Sequence, residues 1–181
     1  MNDIKEKYAI ITELLEERKL GEIITQGNCE DNGLHETYLS FYYTDNALVY
    51  INYSFSQGHS NYNYHYYIWD NRLIFYFLEH TSWTWDYECT PRDQGFTNEI
   101  WTYDEHRVYF NNETPIKCLF KTYDERSVDQ PYEGKETLSS TIKNQELDCD
   151  KSVMATIIKN YHLLLENQKN TTQNICDIDF N

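Results

Sequence analysis

The fold is decided by the stretch Phe41-Tyr42-Tyr43-Thr44-Asp45-Asn46-Ala47-Leu48-Val49-Tyr50-Ile51, which returns in related form as Tyr66-Tyr67-Ile68-Trp69-Asp70-Asn71-Arg72-Leu73-Ile74-Phe75. In both copies an aromatic run leads to Asp-Asn and continues as a second apolar run. Asp and Asn tolerate the left-handed backbone of a tight turn, and the flanking residues favour strands. The pattern therefore predicts two successive antiparallel β-hairpins.

The alternation of side chains along these hairpins predicts which residues share a face. With a two-residue turn, Tyr42 pairs with Val49, and both faces of the first hairpin are apolar or aromatic. We therefore expect this hairpin to be central and covered on both sides. In the second hairpin the same rule places His65 opposite Tyr76 on a more polar face, which we expect to meet solvent or a groove.

Segments on both sides of the hairpins complete the fold class. Strands in one block with helices at its two ends predict a single α+β domain over residues 1–181. Its single antiparallel meander sheet has six to seven strands, and the N-terminal and C-terminal helices pack on one face. The predicted parts are a helix over 3–19, a sheet over about 36–123, and a helical part over about 136–168 with helices at 136–146 and 151–168.

The segment after the second hairpin carries two tryptophans. Residues 80–95 are predicted to be irregular, so Trp83 and Trp85 lie in a loop. Loop aromatics either pack back over the sheet edge or form a contact surface. Further along, Asp, Glu and His follow one another at 104–106, where we expect a turn between two strands.

The charge of the chain restricts its partners. The sequence has 15 basic and 30 acidic residues, a formal charge of −15, spread along the whole length. This excess indicates either a solvated acidic surface or attraction to a basic partner. No cluster of Lys and Arg could displace the counterions of a nucleic acid, so direct binding to DNA or RNA is not expected.

The start of the chain and its cysteines bear on location. The residues after Met1 lack the basic and apolar regions of a signal peptide, and no stretch approaches the ~20 apolar residues of a membrane span. We therefore expect a cytoplasmic protein with no membrane contact. The five cysteines are odd in number and scattered, without a Cys-x-x-Cys pair, which favours free thiols over disulfides or a zinc site.

No catalytic motif stands out. The six histidines show no metal-ligand spacing, and nucleophile, P-loop and dinucleotide fingerprints are absent from the sequence. We expect no cofactor, no metal and no enzymatic activity. His65 and His80 could share the more polar face of the second hairpin and line a groove near Tyr76.

The aromatic-x-Asp-Asn-x-Leu hairpins, followed by Ser82-Trp83-Thr84-Trp85, resemble β-meander proteins of unknown function from Bacteroidota. The resemblance covers roughly residues 36–123. It implies a meander fold and a bacterial source, and it carries no catalytic residues to this chain.

Two binding functions follow from these observations. The first is a non-enzymatic acidic protein-binding module of the bacterial cytosol, in its specific form an immunity protein or inhibitor that neutralises a basic toxin or nuclease. The alternative is a small-ligand-binding protein with an aromatic pocket in a bent sheet, lined by Tyr62, Tyr64, Tyr66, Phe75 and Phe77, residues that could equally form the core. The candidate partner surface consists of Trp83, Trp85, Asp86, Tyr87, His65 and Tyr76. The sequence leaves the oligomeric state open.

Overall fold

A computed structural model describes residues 1–27, 29, 33–87, 98–126, 138–169 and 175–177. Its elements in chain order are helix α1 (Asn2–Glu16), strands β1 (Gly21–Gly27), β2 (His35–Thr44), β3 (Ala47–Gln57), β4 (Ser60–Trp69), β5 (Arg72–Trp85), β6 (Glu99–Asn111) and β7 (Thr114–Arg126), helix α2 (Leu138–Thr141), strand β8 (Gln145–Leu147), helix α3 (Lys151–Lys169) and a 3-10 turn (Ile175–Asp177).

The strands form one antiparallel sheet in which each strand pairs with the next along the chain. The order is β1-β2-β3-β4-β5-β6-β7-β8, which confirms the predicted α+β meander. The count exceeds the predicted six to seven because β1 and the short β8 add a strand at each edge. The predicted helix at 136–146 is wrong beyond its first turn, since α2 ends at Thr141 and β8 follows.

Three hairpins have the same kind of turn. The turns Asp45-Asn46, Asp70-Asn71 and Asn112-Glu113 each contain a residue with positive φ, between 49° and 59°. After each turn the strand register skips one residue, namely Val49, Ile74 or Ile116. Each skip is a β-bulge, in which the extra residue has no partner across the ladder.

The bulges change the register that the sequence predicted. Tyr42 pairs with Tyr50 rather than with Val49. His65 pairs with Phe77, so the predicted pair of His65 and Tyr76 is wrong. One unpaired residue shifts the pairing of every residue beyond it by one position from the predicted register. Because side chains alternate between faces with a period of two, the shift also moves each of these residues to the other face.

The two long helices lie on opposite faces of the sheet, not on one face as predicted. Ile4 and Ile11 of α1 pack with a cluster on one side, hereafter the α1 face. Tyr161 and Leu164 of α3 pack with the larger cluster on the other side, hereafter the α3 face. Both faces of the first hairpin are apolar, so each face needs a helix of its own to pack against it. No helix in the described residues is long and apolar enough to cross a bilayer.

The bulges also form the surface on which α1 packs. Val49 and Tyr50 are consecutive, yet both belong to the cluster under α1, and the same is true of Ile74 and Phe75. A regular strand would have turned one member of each pair to the α3 face. Each of these two bulges therefore adds one apolar side chain to the surface on which α1 packs.

Two disulfides hold α3 at its ends, so the prediction of free thiols is wrong for four of the five cysteines. Cys149, just before α3, is bonded to Cys118 of β7, and Cys176, after α3, is bonded to Cys29 between β1 and β2. Cys89 lies outside the described residues. Gly27 allows this closure, because a Cβ at Gly27 would clash with Ile175 beside the second disulfide. Pairs separated by 31 and 147 residues meet only through the fold, so sequence spacing could not reveal them.

Two further local features concern the start of α3 and the course of β6. Asp150 caps α3, since its Oδ1 accepts hydrogen bonds from the backbone N–H groups of Ser152 and Val153. No turn occurs at 104–106, because β6 runs unbroken from Glu99 to Asn111. The polar residues there are strand residues whose side chains pair with neighbouring strands.

Candidate functional site

The α1 face is apolar under the helix and polar beyond it. The polar part crosses five strands, β3 to β7, as a row of side chains in two bonded groups: Asn52, Asn63, His65 and Glu79 form one, and Glu105 and Lys121 form the other. Every second residue of a strand points to the same face, which is why these residues line up.

One half of the row is organised by His65. Its Nε2 donates to Glu79 Oε2 at 3.0 Å, and its Nδ1 accepts a hydrogen bond from the Tyr50 hydroxyl. A neutral imidazole with its proton on Nε2 satisfies both contacts. Burial raises the pKa of Tyr50 well above its ordinary value, so this hydroxyl keeps its proton and remains a donor.

Glu79 is held as a carboxylate. The hydrogen bond from His65 lowers the pKa of Glu79, against burial, which raises it. Asn63 Nδ2 donates to the same oxygen, Oε2, at 3.4 Å. The side chain is nevertheless 43% exposed, so the anion is both oriented and accessible to solvent.

The other half of the row is organised by Glu105, which is buried. Its Oε2 lies 3.0 Å from Lys121 Nζ and also contacts the guanidinium of Arg107. Lys121 Nζ donates further to Ser139, to the carbonyl oxygen at 3.2 Å and to Oγ at 2.8 Å. These bonds compensate the buried charges and anchor α2 over the edge of the sheet.

A groove of about 340 Å³ lies between the two halves. Glu79 and Glu105 are direct cross-strand partners at its floor. Its walls include Asn61, Asn63, Thr81, Tyr103, Tyr123 and Ser139. The rings of Tyr103 and Tyr123 are stacked, with centroids 4.8 Å apart and planes 8° from parallel.

A wider cavity of about 500 Å³ lies at the opposite end of the sheet, between the start of α1 and two of the hairpin turns. Both basic side chains in its lining are engaged: Lys7 Nζ lies 2.9 Å from Asp3, and Arg72 donates to Asn112. The groove at Glu79 therefore offers the more available polar chemistry.

The groove continues into an aromatic surface at the ends of β5 and β6. We call this surface the tryptophan end, defined as Trp83, Trp85, Tyr87, Glu99, Trp101 and Glu125. Trp83 and Trp101 are direct partners, two pairs along from Thr81 and Tyr103 and on the same face of the sheet. Trp85 is 45% exposed and Tyr87 is 89% exposed. Trp83 lies in a strand, so the predicted loop at 80–95 begins too early: β5 extends to Trp85.

Neighbouring rings fix the position of Trp83. Its indole stacks on His59 at 3.9 Å with planes 13° apart, and it meets Trp85 edge-to-face at 5.1 Å. Trp101 Nε1 donates to Glu99 Oε2 at 2.9 Å. The tryptophan end is thus an ordered surface in which exposed rings lie beside carboxylates.

The six predicted partner-surface residues do not all meet. Trp83 and Trp85 lie in contact at the tryptophan end, and Tyr87, two residues beyond Trp85, is 89% exposed. Asp86 is buried beneath them, 4% exposed, with its Oδ2 3.5 Å from Arg126 Nε, so it has a supporting role. His65 lies in the polar row, whereas Tyr76 is buried on the α3 face, because the bulge at Ile74 separates the two.

Other sequence predictions for this region are also corrected. His65 and His80 lie on opposite faces, since His65 pairs with Phe77 and His80 with Tyr62. The aromatic residues proposed to line one pocket are divided by the sheet. The rings of Tyr64 and Tyr66 belong with the α3 face, and those of Phe75 and Phe77 with the α1 face.

Sequence reasoning missed Glu79, Glu105, Lys121, Tyr103, Tyr123 and Ser139. The signal in the sequence was weak, because residues 104–107 are polar without interruption, and only their position in a strand shows that Glu105 and Arg107 share a face. The interpretation of 104–106 as a turn hid it.

Within the described ranges, no group of three or more His, Cys, Asp or Glu side chains is arranged to hold a metal ion. Comparison with family models, curated proteins and solved structures finds no match, so the function is inferred from the geometry of this chain.

Proposed function

We propose that the protein is a non-enzymatic binding module whose partner is a basic protein, contacted through the tryptophan end. The observation that carries this proposal is the meeting of exposed aromatic rings and carboxylates on one ordered surface. In its specific form the protein is a bacterial immunity protein or inhibitor that neutralises a basic toxin or nuclease. The resemblance to Bacteroidota meander proteins remains a prediction.

The aromatic side chains supply the anchor of the contact. Tryptophan and tyrosine dominate the energetics of protein interfaces, because they bury a large area at small cost in side-chain entropy. Trp85 and Tyr87 expose 45% and 89% of their surface, and Trp83 is already ordered by His59. A preordered anchor loses less entropy when it binds.

Charge favours a basic partner. The chain carries a formal charge of −15, and Glu99 and Glu125 lie among the exposed rings. Complementary charge accelerates encounter and selects against acidic partners. The same excess of negative charge disfavours nucleic acid phosphates, so a charge-mimicking inhibitor fits better than a DNA-binding protein.

The disulfides bear on the compartment in which the protein meets its partner. Disulfides form and persist in oxidising environments and are rare in the cytosol. The pairs Cys29–Cys176 and Cys118–Cys149 therefore weigh against the predicted cytosolic location. A secreted or periplasmic basic toxin would be met in a compartment where both bonds are stable.

The test is affinity capture from the source organism, followed by reconstitution with the purified partner. We expect a basic protein that binds wild type, with affinity that falls as salt rises. The double variant Trp85→Ala/Tyr87→Ala should weaken binding about 30-fold or more, as expected for hot-spot residues. The matched control is Ile23→Ala/Ile24→Ala, which removes side chains 58% and 56% exposed on β1.

The control variant should bind as wild type does. Capture of only acidic proteins, or equal loss of binding in both double variants, would refute the proposal.

A further inference from the structure

We propose that the groove on the α1 face receives an arginine side chain of the partner, with the guanidinium group on Glu79 and against the ring of Tyr103. This inference rests on the proposed function and deepens it, because it assigns the chemistry by which a basic partner is recognised beyond the tryptophan end.

The first argument is the hydrogen-bonding state of Glu79. Both donors from the protein, His65 Nε2 and Asn63 Nδ2, bond to Oε2. The other oxygen, Oε1, has no hydrogen bond or ion pair within the described part of the chain. One oxygen fixes the carboxylate in place and the other is available to accept from a ligand.

The second argument is the contrast with Glu105, the cross-strand partner of Glu79. Lys121 and Arg107 already neutralise Glu105, whose side chain is only 9% exposed. Within the described residues the only ion pair of Glu79 is with His65; the charge of Arg107 also helps to lower the pKa of Glu79, but Arg107 makes its own ion pair with Glu105. The groove therefore holds one carboxylate that no Lys or Arg of the described residues pairs with directly.

The third argument is the space beside Tyr103. Tyr123 covers one face of the Tyr103 ring, and the partner of Tyr103 on the other side is the short side chain of Thr81. The groove of about 340 Å³ includes this position. A planar cation lying over Thr81 can stack on the ring of Tyr103 and reach the carboxylate of Glu79, two residues away on the same face of β5.

Arginine fits these features better than lysine. Its guanidinium is planar, offers five N–H donors and stacks on aromatic rings, whereas an ammonium is a compact and strongly hydrated charge. The groove supplies one flat ring, one available carboxylate oxygen and the polar side chains of Asn61 and Thr81. It is continuous with the tryptophan end through the Trp83–Trp101 pair, so one partner surface could cover both.

The probe for this site is N-acetyl-L-arginine amide, added to ¹⁵N-labelled protein and followed by NMR. The matched probe is N-acetyl-L-citrulline amide, which keeps the shape and lacks the charge. We expect saturable shifts with the arginine compound, confined to β4, β5 and β6 around Glu79, and none with the citrulline compound at the same concentrations.

Variants locate the contact. Glu79→Gln should weaken arginine binding about tenfold or more, the amount expected for loss of one charge-assisted hydrogen bond. Glu22→Gln, an exposed carboxylate on β1, changes the net charge equally and should leave binding unchanged. Any of three results would overturn the proposal: equal shifts with the citrulline compound, shifts outside the groove, or unchanged binding by Glu79→Gln. The first of these results needs no variant protein.

The two proposals fail separately. If a basic protein is captured and needs Trp85 and Tyr87 but binds Glu79→Gln as tightly as wild type, the arginine groove is refuted and the proposed function stands. If the arginine compound binds at Glu79 but no basic protein is found, the groove stands as a guanidinium site and the proposed function is refuted.

Discussion

Glu79 and Glu105 are direct partners across β5 and β6, yet their carboxylates are held by separate sets of donors. Like charges placed opposite one another destabilise a sheet unless each is compensated. Glu105 is compensated by two buried or half-buried cations, whereas Glu79 depends on hydrogen bonds from His65 and Asn63. The pair is therefore asymmetric, and only one member remains available to a ligand.

The first prediction concerns the pH dependence that Glu79 confers. Because the pKa of Glu79 is lowered in the folded protein, mainly by the hydrogen bond from His65, the folded state favours the carboxylate. The resulting stability is fully present above the ordinary pKa of 4.5 and is lost as the pH falls through the lower folded value.

The measurement is urea unfolding of wild type and Glu79→Gln between pH 7 and pH 3. The stability advantage of wild type should shrink as the pH falls below about 4.5, since the glutamine cannot titrate. An advantage that stays constant over this range would show that the ionisation of Glu79 is not linked to folding.

The second prediction concerns the disulfides. Cys118→Ala/Cys149→Ala opens a link across 31 residues and should lower the free energy of unfolding by about 2–4 kcal/mol. Mass spectrometry with a thiol-alkylating reagent, applied to denatured but unreduced protein, should leave these two cysteines unlabelled in wild type. Full labelling of protein isolated from its source would contradict the assignment and restore the cytosolic location.

The third prediction tests the role of the bulges in the packing of α1 on the sheet. Ile74→Ala removes a buried bulge residue beneath the helix and should cost about 2–5 kcal/mol, because it leaves a cavity in the cluster. Ile23→Ala makes the same truncation at an exposed site on β1 and should change stability by about 0.5 kcal/mol or less. Chemical denaturation of both variants gives the comparison. Equal losses in the free energy of unfolding would mean that the packing of α1 does not depend on the bulge residues.

The hairpins could be predicted from sequence because their information is local. Asp45-Asn46 and Asp70-Asn71 specify turns through backbone preferences of the residues themselves. The bulges at Val49 and Ile74 could not be predicted, because whether two consecutive residues share a face depends on what packs above them. α1 lies far away in sequence from the strand that it rests on.

The site was predicted only in part for a related reason. Trp83 and Trp85 stand out in the sequence, and their rings do lie in contact. The neutralisation of Glu105 by Lys121 joins strands whose pairing is set by the whole sheet. Without the register, Glu105 looked like a turn residue, and its polar partners had no visible connection to it.

The bond between Cys29 and Cys176 has a consequence for the chain as a polymer. It joins residues 147 positions apart, so the backbone from β2 to the 3-10 turn lies inside one covalent ring. A protease that cuts the backbone once inside this ring leaves the two pieces joined through sulfur.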